Sequence, residues 1–154
     1  SDRLSGDCLP WETAIALADP PLLEGTSAFV VSTRAAMALL VAHAPRHADL
    51  VARHIRRLTG LGHRDMRRIG RVTVYGRDRR AIVQPVDQAW IDRARHHCYV
   101  TPSIWDVAPG DGAGLRRYAE ILVHEAAHLY LDTHDETECN AEMLAAQHLL
   151  ARAG

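Results

Sequence analysis

A chain of 154 residues suits one domain with a single hydrophobic core, and at that length it can bury one without disulfides. Apolar residues make up 47% of the sequence, as in an ordinary globular protein, and no apolar run approaches the ~20 residues that a membrane-spanning helix needs. The net charge of −1 excludes a uniformly basic or acidic binder, although the charge is unevenly spread.

All 18 basic residues are Arg. Arg53, Arg56, Arg57, Arg64, Arg67, Arg68, Arg71, Arg77, Arg79 and Arg80 crowd the middle, and Asp132, Asp135, Glu136, Glu138 and Glu142 crowd the end. A basic middle could hold nucleic acid or an acidic partner, but solvated helix faces produce the same spacing, so nucleic acid is the alternative partner. Cys8, Cys98 and Cys139 are an odd number and leave at least one thiol unpaired within the chain. The first four residues lack the charged and apolar regions of a signal peptide. A cytoplasmic protein with reduced thiols is therefore expected, and the missing initiator Met leaves a processed, secreted chain open.

Along the chain, residues 1–25 are punctuated by Pro10, Pro20, Pro21 and Gly25 and read as irregular, with a short helix at 12–18. Residues 28–32 read as a strand, and Ser32 or Thr33 then caps a helix over 35–44 that Pro45 ends. Pro45 also suits the first turn of a helix over 47–58, closed by Gly60. Alternating residues at 71–75, a Gly76-Arg77-Asp78 turn and a return over 80–86 predict a hairpin. A short helix at 87–94, a strand at 98–101 stopped by Pro102 and a Gly/Asp loop at 108–114 follow.

The last forty or so residues carry the chemistry. A helix over 115–131 is apolar on every side around residues 121–131, the mark of a buried helix. Thr133-His134-Asp135 turns the chain into a second helix over 136–152, giving a helical hairpin. Within the first helix lies His124-Glu125-Ala126-Ala127-His128. Residues four apart share a helix face, so the two imidazoles can converge on one ion. Glu125 lies about 100° around the axis, beside the metal but outside its coordination sphere, where a general base belongs. Two imidazoles and a carboxylate on a buried helix are costly unless something satisfies them, and a zinc ion would do so.

Preceded by Ile121-Leu122-Val123, this motif resembles the active-site helix of the zincin metallopeptidases, over about the last third of the chain. The resemblance implies an α+β fold: a single zincin-like domain over 1–154 with a small antiparallel sheet, the active-site helix and a C-terminal helix. It implies a Zn²⁺ cofactor held by His124 and His128, Glu125 as the catalytic carboxylate and a peptide or protein substrate. The strand at 98–101 would align that substrate by its edge.

A catalytic zinc wants a third protein ligand. His134 has the metzincin spacing, but Leu131 stands where that family has Gly. Glu138 and Glu142 lie one turn apart on the second helix, the gluzincin arrangement. Glu138-Cys139-Asn140-Ala141 also resembles the Glu-small-Asn signature of ImmA/IrrE-type peptidases. Antiparallel hairpin geometry places Glu138 level with His128, and Glu138 is the expected ligand. Tyr99, Tyr118, Tyr130 and His134 are available as a second oxyanion donor. The expected function is a zinc-dependent peptidase, with a nucleic-acid-associated protein or a zincin fold holding a non-catalytic zinc as alternatives.

Overall fold

A computed structural model of the chain describes residues 21–62, 71–75, 81–85 and 89–153. The helix expected at 12–18 and Cys8 lie outside the described residues. The first described element is strand β1 (Leu22–Glu24), inside the segment expected to be irregular. Thr26 then caps helix α1 (Ser27–His43), its Oγ1 accepting from the Phe29 amide at 3.2 Å.

The strand expected at 28–32 is thus the first part of α1. Phe29, Ser32, Thr33, Ala36, Met37 and Leu40 are buried along it, a spacing of three to four residues that only a helix can bury together. That burial overrides the strand preference of Val30 and Val31. Helix α2 (Pro45–His54) takes Pro45 into its first turn, starts two residues before the expected 47 and ends four residues before the expected 58. The chain then continues as strand β2 (Arg57–Gly60), parallel to β1.

Strands β3 (Arg71–Tyr75) and β4 (Ala81–Pro85) pair antiparallel, as the expected hairpin requires, with Thr73 opposite Val83; the turn expected at 76–78 lies outside the described residues. The helix expected at 87–94 is instead strand β5 (Ala89–Asp92) and a turn. Ala89 and Ile91 pack towards the core while Trp90 stacks on Tyr99 at 4.7 Å, the two-residue alternation of a strand. Strand β6 (His97–Val100) pairs parallel with β2 and antiparallel with β5.

The sheet order is β1-β2-β6-β5, so the sheet is mixed, not the antiparallel one expected. The α+β class holds, with five helices among the described residues. One face of the sheet, with Leu23, Leu58, Cys98, Val100 and Ile91, joins the core. The Phe29 ring covers Gly60 so closely that a Cβ there would lie 2.3 Å from Phe29 Cδ1.

Helix α3 (Pro102–Trp105) is a single turn, anchored by Trp105 Nε1 donating to the Leu61 carbonyl at 3.0 Å. Asp111 caps helix α4 (Gly112–Tyr130), and its Oδ1 accepts from the Gly114 amide at 2.9 Å. Helix α5 (Glu136–Ala153) completes the hairpin. Helix α4 lies at the centre, against α1, α2, α3, α5 and β5. Tyr118, Ala119, Leu122, Val123, Ala126 and Ala127 are fully buried on it. Among the described residues, no helix is long and apolar enough to cross a membrane.

Candidate metal centre

The α4–α5 hairpin sets the geometry of the site. On α4, His124 and His128 are one turn apart, and their rings stand 5.0 Å apart, edge to face. Glu136, the first residue of α5, reaches both. Its Oε2 lies 2.9 Å from His124 Nε2, and its Oε1 lies 3.0 Å from His128 Nε2. One ligand atom from each residue lies within 4.8 Å of the others, and this is the only such cluster among the described residues.

The third member is therefore Glu136, where Glu138 was expected. The two differ by about 200° around the helix axis, and Glu138 is exposed outside the cluster. Asp135 fixes this phase. Its Oδ1 accepts from the Thr137 amide at 2.8 Å, which starts α5 at Glu136 and puts that residue nearest the imidazoles. A carboxylate in the first turn also suits the positive end of the helix dipole. Glu136 was legible only as part of the acidic end of the chain; Asp135 as a helix cap is the signal that could have singled it out.

Glu142 and His134, the other candidates, also lie outside the cluster. Glu142 accepts from Tyr130 Oη at 2.5 Å and stands 3.8 Å from Arg46. His134 is exposed on the turn.

The hydrogen bonds define the state of the donors. His128 Nδ1 lies 2.9 Å from the Thr133 carbonyl, which can only accept, so Nδ1 carries the proton. In the neutral ring Nε2 is then a bare lone pair facing a carboxylate oxygen. Only a proton or a cation between the two atoms satisfies that contact. Burial lowers the His124 pKa despite the opposing charge of Glu136, which favours the neutral ring that ligates metal. The Nδ1 of His124 is buried and has no hydrogen-bond partner. Two imidazoles and one carboxylate form the His₂Glu donor set of catalytic zinc sites, so these residues fit the ion.

Glu125 is buried beside the cluster, with its Oε2 4.0 Å from His124 Nε2. Burial first, and the charge of Glu136 second, raise its pKa to about 8. The charge of Glu125 acts on two thiols from neighbouring elements, Cys98 of β6 and Cys139 of α5, both free and buried. Burial pushes both thiol pKa values up, that of Cys139 to about 12, which makes them poor nucleophiles.

None of the expected oxyanion donors joins the cluster. Tyr118 Oη is buried against Thr33 Oγ1 at 2.6 Å, Tyr130 bonds Glu142, and Tyr99 stacks between His97 and Trp90. Strand β6 has partners on both sides, so it cannot offer the substrate an edge; the strand with an open edge beside α4 is β5, among the described residues. In the basic middle, Arg53 is paired with Asp49, Arg56 bonds the Ala52 carbonyl and Arg57 makes a two-pronged bond to Glu24. Only the backbone of Arg71 is described, and Arg64, Arg67, Arg68, Arg77, Arg79 and Arg80 lie outside the described residues. No family model, curated protein or solved structure matches the chain.

Proposed function

We propose that the chain is a zinc-dependent hydrolase and, more specifically, a metallopeptidase. His124, His128 and Glu136 would hold the ion. The observation that carries this reading is the convergence of two imidazole Nε2 atoms on one carboxylate, with a second carboxyl group buried alongside. When bound, zinc supplies Lewis acidity: it lowers the pKa of a water towards neutrality and polarises a substrate carbonyl.

The remaining work falls to the chain's own groups. A carboxyl with a pKa of about 8 holds and releases a proton near neutral pH, as general acid–base catalysis requires. In this reading Glu125 takes a proton from the attacking water and passes it to the leaving amine. The Thr133 carbonyl keeps His128 in one tautomer and orientation, as outer-shell acceptors do for ligating histidines. The peptide substrate is supported by the resemblance of the motif helix to zincins and by the edge of β5 left open among the described residues, to which an extended chain could add.

The test pairs metal analysis with one substitution. The purified chain should carry zinc at one ion per molecule. Glu125→Gln should retain it while losing about 10²- to 10⁴-fold in hydrolysis of a broad peptide library. A chain that takes up no metal would remove the reading. Metal retained without hydrolysis, and unaffected by Glu125→Gln, would point to a non-catalytic site.

A further inference from the structure

The turn between α4 and α5 holds a residue in an unusual conformation. Asp132 has φ 50, in the left-handed region that residues other than glycine seldom adopt. Leu131, one residue earlier, keeps a helical φ of −89, so the sharp turn falls at Asp132. The Asp132 carboxylate is paired with the Arg93 guanidinium from the turn joining β5 to β6. Only 24% of the Arg93 side chain is exposed, whereas Asp132 is 90% exposed.

The residues after Asp132 govern the metal centre. The Thr133 amide donates to the His128 carbonyl at 3.2 Å, and the Thr133 carbonyl accepts the His128 Nδ1 proton at 2.9 Å. The Thr133 Oγ1 accepts from the Asp135 amide at 3.0 Å, and Asp135 caps the helix that begins with Glu136. One short turn therefore orients a candidate ligand from α4 and launches a candidate ligand from α5. Arg93 grips that turn from the sheet.

We propose that the Arg93–Asp132 pair is a positioning clasp for the metal centre. It ties the β5–β6 turn to the α4–α5 turn, so that Thr133 keeps the His128 proton on Nδ1 and Glu136 meets both Nε2 atoms. Neither residue belongs to the ligand cluster, so both act through the turn. A pair with one partner this exposed adds little to global stability. Its effect is local, holding a backbone conformation that Asp tolerates but does not prefer. The zinc part of this proposal rests on the metallohydrolase reading; the effect on His128 does not.

The test uses the full chain and the variants Arg93→Ala, Asp132→Ala and the double variant. In chelator-treated protein, ¹⁵N spectra of the imidazoles should show His128 as the Nδ1–H tautomer. Either single variant should shift it towards a mixture. Titration of zinc against a chromophoric chelator should show about 10- to 100-fold weaker binding in each single variant, the range for lost outer-shell partners. The double variant should be no weaker than either single, because the pair acts as a unit. An unchanged tautomer and affinity in the single variants, or additive losses in the double, would overturn the clasp. A chain that takes up no zinc, yet changes its His128 tautomer in Arg93→Ala, would overturn the metal reading and leave the clasp standing.

Discussion

At the scale of single residues, Glu136 and Glu138 differ by two positions, and those two positions separate a carboxylate touching both imidazoles from one facing solvent. Glu136→Ala should weaken zinc binding by at least tenfold, whereas Glu138→Ala should leave it unchanged; a competition titration on both variants decides it. Equal losses would mean that α5 starts at a different phase. His124, Glu125 and His128 were legible because their spacing lies within one helix, where a shared face needs no knowledge of the tertiary fold. The partner on α5 was not legible because its position depends on where the turn ends. That is settled by the positive φ of Asp132 and the cap at Asp135. Level along the hairpin is a coarser guide than phase around the helix.

At the scale of elements, the hairpin β3–β4 and helices α4 and α5 could be read from pattern alone. Periodicity was unambiguous there, and the burial of α4 followed from its apolar surround. The misread elements are those where a short apolar run fits two periods. Residues 28–32 carry β-branched side chains yet extend α1, because Phe29, Ser32 and Thr33 bury together with Ala36 only in a helix. Residues 89–92 read as helix, but they complete the sheet beside β6. The parallel pairing of β2 with β1 and β6 depends on contacts distant in sequence, which no local pattern reveals. Gly60 exemplifies the point: it reads as a helix stop but serves as the floor under the Phe29 ring. Gly60→Ala should destabilise the fold by roughly 1–3 kcal/mol, the usual cost of overpacking. A chemical-denaturation midpoint equal to that of the parent would show that the ring can move aside.

At the scale of the whole molecule, several histidines away from the candidate metal centre are kept neutral by burial. Burial lowers the pKa of His47, His54 and His97, and both ring nitrogens of His47 are buried without a hydrogen-bond partner. A folded-state pKa below the unfolded value of about 6.5 means that the unfolded chain binds the proton first. Their contribution is therefore complete above pH 6.5 and is lost as the pH falls below it. The thermal midpoint should drop between pH 7 and pH 5, and His47→Gln should make that drop shallower. A slope identical in parent and variant would exclude His47 as a contributor. The Arg57–Glu24 bond lowers the Glu24 pKa below 4.5, so its share fails only in more acidic solution and separates cleanly from the histidine window.

The hairpin also has a kinetic meaning. His124 and Glu136 are 12 residues apart in the chain, whereas the Thr59–His97 side-chain bond that ties β2 to β6 closes a span of 38. Closing a short loop costs less entropy, and local contacts form sooner than distant ones. The donor cluster belongs to the part of the chain that can organise first, ahead of the sheet that later supports it. In pulse-labelled hydrogen exchange during refolding, amides of α4 and α5 should gain protection before those of β2 and β6. On the proposed metallohydrolase reading, adding zinc should then act on the early phase, as an ion that takes part in folding would.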